Sequence, residues 1–311
     1  MNGRDWLDAS RLRTLPLAAA CVMVGGAVAF NSAQVDPAIA GLFWPVFARI
    51  LFTVFGLQIL SNWANDLGDY ENGADGPERA DRAVASGRIA PKTMKRAVKG
   101  LGLVVLLSGV GTVAMALWGT GLLFPAVGII LLGIVGIAAA YRYTAGKNPY
   151  GYVGLGDAAV FLFFGWVGVA GTAFLLSHTW SWSWLLPGTW TGALSVAVLN
   201  LNNMRDFKSD ETAGKRTLAV RLGWEKARRY QVVCFVLAWA AWWAFSLVLE
   251  PGQWRGSLWI FALSLLHLAH LIRVFQTTDP KALDPELKRV ALSTALVALF
   301  LLLAQTQNIP A

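Results

Sequence analysis

The chain has 311 residues, of which 56% are hydrophobic and only 14% are charged. A typical soluble domain carries about 25% charged residues, so this composition excludes an ordinary soluble enzyme and indicates a protein embedded in lipid. The formal net charge is +8. The charges lie in connections between apolar runs, which is typical of membrane topology and argues against a nucleic-acid partner. Cys21 and Cys234 lie inside apolar segments, where we expect them to pack.

Apolar runs recur nearly from end to end of the chain, which predicts one all-α integral membrane domain over residues 1–311. A helix needs about 20 mostly apolar residues to cross a bilayer. The run after Arg11 and Arg13 resembles a secretory signal, but it is near the length of a full span and we interpret it as an uncleaved first helix. The nine predicted transmembrane helices are residues 14–30, 43–64, 98–118, 121–142, 154–176, 184–204, 230–249, 257–276 and 288–306.

The positions of Lys and Arg predict the orientation of these helices. With the N-terminus in the cytoplasm, all 26 basic residues except Arg49 and Arg255 fall on the cytoplasmic side. This favours an N-in, C-out topology. Residues 65–97 and 205–229 are then two long cytoplasmic loops that hold most of the acidic residues, and loops of this length usually serve function.

Each long loop begins with acidic and amide side chains at helical spacing. If the preceding helices continue into the loops, each set lies on one helix face. Both sets begin with Asn-x-x-x-Asp and lie about four spans apart, which predicts a pseudo-duplicated helical bundle with both sets at one membrane face of a central cavity. The first set is Asn62, Asp66 and Asp69, and the second is Asn202, Asp206 and Asp210.

Hard oxygen ligands at two opposed helix ends suit Mg²⁺, which binds few carboxylates together with substrate phosphate oxygens. Carboxylates near a bilayer are costly, and several facing one cavity repel each other unless a cation lies between them. The sets therefore predict a Mg²⁺–diphosphate site, although any single member could be a helix cap. Basic residues after each set could bind diphosphate or serve only as topology determinants; they are Arg79, Arg82, Lys215, Arg216 and Arg221.

Longer patterns surround the two sets. They are Asn62-x-x-Asn65-Asp66-x-x-Asp69-x-x-x-Gly73-x-Asp75, Asn202-Asn203-x-Arg205-Asp206-x-x-x-Asp210, the segment 213–223, and the shorter runs 13–16, 149–157 and 163–166. Together they resemble the UbiA superfamily of intramembrane prenyltransferases, and within it the 1,4-dihydroxy-2-naphthoate prenyltransferases of menaquinone synthesis. Asn203 departs from the broader superfamily, which often has Asp there. The resemblance covers about residues 11 to 223 and leaves the last three spans without a recognisable motif.

The resemblance implies nine helices around a cavity that opens sideways to lipid, in the bacterial cytoplasmic (inner) membrane, with the active site opening toward the cytoplasm. It also implies Mg²⁺-dependent transfer of a polyprenyl group from polyprenyl diphosphate to 1,4-dihydroxy-2-naphthoate, with loss of CO₂ and diphosphate, giving demethylmenaquinone. The six residues of the two sets would hold the metal.

Two further residues join the four aspartates as candidate catalytic residues. The ring of Tyr143 could stabilise an allylic cation, and Asp157 could orient the naphthoate hydroxyl or cap a helix. The expected diphosphate ligands are Arg79, Lys147, Arg205, Lys215 and Arg216.

Two other functions stay open at this point. Another aromatic acceptor, 4-hydroxybenzoate or homogentisate, is the first, because acceptor pockets are not readable from one sequence, although Gly73-x-Asp75 and Gly214-Lys215-Arg216-Thr217 favour naphthoate. The second is a cation-coupled transporter, which would need ionisable residues near mid-span, whereas these cluster at one face. His267 and His270 carry no motif, and we expect packing or outer-half polar contacts for them. Prenyl length, oligomeric state and the general base are not readable from spacing.

Overall fold

The computed structural model describes residues 2–34, 36–75, 82–249 and 260–306, and these ranges are helical without any β-strand. A long helix lies at each of the predicted apolar segments. These helices are α2 (Leu15–Ala33), α3 (Pro37–Glu71), α4 (Pro91–Leu117), α5 (Leu123–Arg142), α6 (Gly156–Ser177), α7 (Leu185–Arg205), α10 (Trp224–Leu249), α11 (Ile260–Gln276) and α12 (Asp284–Thr306). Three short helices complete the described part: α1 (Gly3–Ser10), α8 (Phe207–Thr212) and α9 (Leu218–Leu222).

Seven helices among the described residues are long and apolar enough to cross a bilayer, which supports an integral membrane fold. α7 is not one of them, because asparagines at 200, 202 and 203 lower its mean hydropathy. Most of α7 is buried inside the bundle. α11 is described over only 17 residues. The count of nine spans and the N-in, C-out orientation therefore stay predictions.

The starts of three helices follow from local sequence signals. Pro16, Pro37 and Pro91 each lie in a first turn, where the missing N–H of proline costs no hydrogen bond. Asp36 also caps α3, since its carboxylate accepts a hydrogen bond from the backbone N–H of Ala38 at 2.8 Å. Each of these prolines therefore marks the first turn of its helix.

The first predicted loop begins later than expected, because residues 65–71 continue α3 to Glu71. A helix of 35 residues is about 52 Å long, well beyond the roughly 30 Å of a hydrocarbon core, so its last turns project toward the polar side. The second acidic set differs, because the helix breaks at Asp206 between α7 and α8. Asn202 and Asp210 therefore lie on separate helices.

The core of the bundle is built around α2 and α7. α2 packs against α3, α6 and α12, and α7 packs against α6 and α10. α6 and α7 approach closely at Gly165, where an added Cβ would lie 2.7 Å from the backbone oxygen of Gly188. Small residues permit such contacts between membrane helices. This packing leaves a space lined by residues of α2, α3 and α7, among them members of both acidic sets.

Candidate functional site

A cavity of about 580 Å³ lies inside the bundle, with polar side chains at one end and apolar side chains along the rest. Members of both acidic sets line it, although the sets are far apart in the chain. The lining members are Asn62, Asp69, Asn202, Asp206 and Asp210. The two sets therefore meet at one site, as the sequence predicted.

Asp69 and Lys215 connect the two halves of this site. Oδ1 of Asp69 accepts hydrogen bonds from Nζ of Lys215 at 2.8 Å and from the hydroxyl of Tyr152 at 2.7 Å. Nζ of Lys215 also lies 3.9 Å from Oδ1 of Asp210. Nη2 of Arg82 lies 3.4 Å from Oδ2 of Asp69. A lysine ammonium thus lies between one carboxylate of each acidic set.

Arg205 is held by carboxylates on the other side of the site. Its Nε and Nη2 each donate to one oxygen of Asp206 at 2.9 Å, a bidentate pair. Nη2 also donates to Oδ1 of Asn202 at 2.9 Å, and Nη1 donates to Oδ1 of Asp284 at 2.6 Å. Arg13 lies 3.4 Å from the same oxygen of Asp284. Asp284, at the start of α12, therefore connects the second acidic set to the N-terminal turn.

Asp66 points away from the cavity and stabilises the following loop. It is 1% exposed, and its Oδ2 accepts hydrogen bonds from the backbone N–H groups of Ala83 and Val84 at 3.1 and 3.3 Å. Its Oδ1 has no hydrogen-bond partner in the described ranges. Asn62 donates to the backbone oxygen of Ser10 at 2.9 Å. The predicted roles of Asp66 and Asn62 as metal ligands stay predictions beside these observed structural contacts.

The connection between α5 and α6 forms another wall of the site. It packs directly on α3 at Gly68, where a Cβ would lie 2.7 Å from the backbone carbonyl carbon of Thr144. Thr144 donates to Oδ1 of Asn65 at 3.1 Å, and Asn72 donates to the backbone oxygen of Thr144 at 2.8 Å. These contacts place Tyr143 on the cavity wall.

Three tyrosines of this connection stay protonated at neutral pH. Burial raises the pKa of Tyr150 to about 12. Burial and then the nearby charge of Asp69 raise the pKa of Tyr152, while burial and then the charge of Asp157 raise the pKa of Tyr143. Each phenol is therefore a hydrogen-bond donor, and the ring of Tyr143 lies edge-to-face with Tyr150 at 5.4 Å between centroids.

Three of the remaining predicted residues do not line the cavity. Asp157 is buried and is hydrogen-bonded to Tyr230, and it does not line the cavity. Lys147 and Arg216 are exposed and do not line it either. Arg79 lies outside the described residues. Their predicted catalytic and diphosphate-binding roles stay predictions.

Sequence reasoning missed several residues that line the polar end of the cavity: Arg11, Thr14, Gln58, Asp284 and Lys288. Neither Arg11 nor Lys288 was predicted to be a site residue, although both were counted for the orientation. Asp284 belongs to the last three spans, which carry no motif. A signal existed for Arg11, since it precedes the run 13–16 that contributed to the family resemblance.

The buried histidines of α11 take part in a polar network. His270 shares a 2.6 Å hydrogen bond with Glu286, and its other ring nitrogen lies 3.3 Å from Nε2 of Gln231. Arg273 and Arg289 also bind Glu286. Glu286 is two residues from Asp284, so the network connects α11 to the first turn of α12, which borders the cavity. The expected packing of the two histidines is observed, since both rings contact the ring of Phe235, and His270 also binds Glu286.

Comparison with known proteins identifies the family. The model of the UbiA prenyltransferase family matches residues 18–293. The chain belongs to the UbiA prenyltransferase family. It is similar to the 1,4-dihydroxy-2-naphthoate octaprenyltransferase of Escherichia coli (strain K12), with 40% identity over 96% of this chain and 94% of that one. The protein of the same name from Mycobacterium tuberculosis (strain ATCC 25618 / H37Rv) is 37% identical over 81% of this chain and 85% of its own.

A solved structure, described in a study of digeranylgeranylglyceryl phosphate synthase in membranes, supports the same fold. It covers 98% of this chain and 99% of its own, with a TM-score of 0.59 and 16% identity. At this identity the likeness shows the fold alone. The central cavity described above is therefore the interior of a UbiA-type helical fold.

The oxygens of this site fit a hard divalent cation. In the part of the chain that the structure describes, no three His, Cys, Asp or Glu side chains converge on one point. A metal bound by one or two carboxylates and by substrate phosphate oxygens needs no such cluster. The position of Lys215 between Asp69 and Asp210 shows that the carboxylates attract positive charge. The donor set thus suits Mg²⁺ delivered with a diphosphate.

Proposed function

We propose that this protein transfers a polyprenyl group from polyprenyl diphosphate to 1,4-dihydroxy-2-naphthoate, giving the quinol form of demethylmenaquinone, CO₂ and diphosphate. The observation that carries the proposal is the single cavity that combines both acidic sets at one end with apolar walls along the rest. The polar end suits a diphosphate, and the apolar walls suit a prenyl chain and an aromatic ring. The names of the relatives at 37–40% identity support this acceptor.

The proposed metal is Mg²⁺, held by the lining carboxylates of the two sets. Asp69 and Asp210 face each other across Lys215, and Asp206 with Asn202 lies beside Arg205. When bound, the metal would neutralise charge on the diphosphate leaving group. Asp66 would contribute only through Oδ1, since Oδ2 binds backbone N–H groups.

The residues of the chain have separate roles in the proposed reaction. Cleavage of the allylic C–O bond leaves negative charge on diphosphate, which Lys215 and Arg82 are positioned to stabilise at the polar end. The face of Tyr143 can stabilise the allylic cation by about 0.5–2 kcal/mol. The naphthoate carbon that carries the carboxylate then forms the new C–C bond, and the carboxylate leaves as CO₂.

The acidic end of the cavity faces the cytoplasm in this proposal, with nine spans and an N-in, C-out topology in the bacterial inner membrane. The support is the charge distribution, since the basic residues concentrate on the side that carries both acidic sets. Cysteine labelling of a Lys208→Cys variant would test it. Residue 208 is exposed in α8, and its thiol should react only with reagents that reach the cytoplasmic face.

The deciding experiment offers the purified protein a polyprenyl diphosphate, Mg²⁺ and one of three acceptors: 1,4-dihydroxy-2-naphthoate, 4-hydroxybenzoate or homogentisate. Mass spectrometry should find a prenylated, decarboxylated product from dihydroxynaphthoate only. A series of prenyl lengths in the same assay would define the donor. Product from 4-hydroxybenzoate with none from dihydroxynaphthoate would refute the proposed acceptor.

A further inference from the structure

The N-terminal helix α1 is anchored to the end of α3 that carries the first acidic set. The rings of Trp6 and Trp63 are in edge contact at 4.9 Å between centroids. Nε1 of Trp63 donates to Oγ of Ser10 at 3.0 Å, and Asn62 donates to the backbone oxygen of Ser10 at 2.9 Å. The chain that follows Ser10 is therefore held against the polar end of the cavity.

Arg11 ends α1 in the left-handed region, with φ 45° and ψ 56°. This conformation costs an L-residue roughly 1–2 kcal/mol, and glycine adopts it without that cost. Arg11 nevertheless occupies the position, and its side chain lines the cavity. A strained backbone at a cavity wall suggests that the side chain has a function there.

The guanidinium of Arg11 carries donors that the described residues do not use. Its Nη2 is buried and has no hydrogen-bond partner within the described ranges. The charge is attracted by Asp66, Asp69 and Asp75, and it forms no ion pair with any of the three. A buried charged donor without a partner costs more than the 1–3 kcal/mol typical of a neutral one, so a ligand that accepts from it would bind favourably.

Three other cations around the cavity have carboxylate partners. Lys215 binds Asp69, Arg205 binds Asp206, and Arg13 lies 3.4 Å from Asp284. Arg11 differs from these three because its Nη2 has no partner in the described ranges, while its side chain lines the cavity near the first acidic set. The ligand chemistry that matches such a fork of N–H groups is an oxyanion with paired oxygens, such as a phosphate.

We propose that Arg11 binds the diphosphate of the polyprenyl substrate, with its guanidinium donating to phosphate oxygens at the N-terminal wall of the site. The proposal rests on the proposed function, because that function supplies the diphosphate. Arg11 is then a substrate-binding residue, and the α1 anchor on Trp63 and Asn62 is the support that positions it.

The test compares Arg11→Gln, Arg11→Lys and Arg11→Gly in the full chain with Arg4→Gln, an exposed arginine of the same helix. Arg11→Gln should raise both the KM for polyprenyl diphosphate and the Kd for inorganic diphosphate about 10- to 100-fold, the loss of a charged hydrogen-bond pair. Arg11→Lys should recover part of the affinity, since lysine keeps the charge but not the fork. Arg4→Gln should match the wild type.

Arg11→Gly separates substrate binding from a structural role. Glycine removes the backbone strain and the unpaired charge, so the midpoint of thermal unfolding should not fall while diphosphate binding weakens. Unchanged diphosphate affinity in Arg11→Gln and Arg11→Gly, or a lower midpoint with unchanged KM, would overturn the proposal and make Arg11 a counter-ion of Asp66. Calorimetry with inorganic diphosphate needs no turnover. Weakened binding in a protein that prenylates no acceptor would therefore support Arg11 and refute the proposed function.

Discussion

The ion pair between Asp69 and Lys215 joins the two acidic sets and can be measured by a double-mutant cycle. The side chains are 4% and 9% exposed, and the charged atoms lie 2.8 Å apart. At an effective dielectric constant of about 20, two unit charges at this distance attract by about 6 kcal/mol before desolvation is subtracted. Removal of one partner of a buried pair typically costs about 3–5 kcal/mol, because the other charge is left buried.

Asp69→Asn and Lys215→Met should each lower stability toward the lower end of that range, about 3 kcal/mol, because Arg82 and Asp210 remain as secondary partners. The double variant removes both charges and should recover part of the loss, with a coupling of about 1–3 kcal/mol. The measurement is thermal unfolding of the four proteins in detergent, followed by tryptophan fluorescence. Stability is the informative readout, since both residues also belong to the proposed substrate site and all three variants should lose activity.

A matched control is the exposed pair of Lys95 and Glu71, with 3.4 Å between charged atoms and side chains 49% and 35% exposed. Surface pairs contribute about 0.2–1 kcal/mol, so the cycle of Lys95→Met and Glu71→Gln should give a coupling below about 1 kcal/mol. If the destabilisation of the Asp69→Asn, Lys215→Met double variant equals the sum of its single variants, the two acidic sets are not joined through this contact.

Three further outcomes are expected. Gly68→Ala should destabilise the protein by about 1–3 kcal/mol and lower kcat, because the new Cβ meets Thr144 at 2.7 Å. Gly100→Ala is the control and should be tolerated, since no atom lies within 4 Å of the added Cβ. Thermal midpoints and kcat of both variants test this expectation. Asp284→Asn should lower kcat about tenfold by releasing Arg205, and an unchanged kcat would show that Asp284 has no positioning role. Chelation by EDTA should abolish product formation and Mg²⁺ should restore it in a titration; undiminished turnover in EDTA would exclude the proposed metal.

The positions of the helices could be predicted well because lipid leaves the backbone few alternatives to a helix. Errors concentrate at the ends, where polar residues continue a helix beyond the hydrocarbon. α3 begins at Pro37 rather than 43 and ends at Glu71 rather than 64, because Asp36 caps one end and the last turns carry the acidic set. Hydropathy describes the lipid-facing portion of such a helix, and its functional end lies beyond that portion.

Helical spacing predicted that the members of each acidic set share a face, but not which atoms they contact. Asp66 and Asp69 are three residues apart, yet Asp69 lines the cavity while Asp66 binds the backbone of residues 83–84. The folding of that loop onto α3 makes the difference, and it leaves no periodic signal. The roles of Arg11 and Asp284 were hidden for a related reason, since their surroundings come from segments far apart in sequence.

The charges of the site explain how several carboxylates can share one cavity. Mutual repulsion would disfavour Asp69, Asp206 and Asp210 at the end of one apolar bundle. Lys215 and Arg205 remove that difficulty, because Lys215 pairs with Asp69 at 2.8 Å and lies 3.9 Å from Asp210, and Arg205 pairs with Asp206 at 2.9 Å. Under the proposed function, the carboxylates would hold the metal and the same cations would bind the diphosphate, so that neither partner of these ion pairs would be left as an unpaired buried charge. α11 and α12, which carry no motif, take part in this arrangement. His270 of α11 binds Glu286 in the first turn of α12, and Asp284 in the same turn binds Arg205.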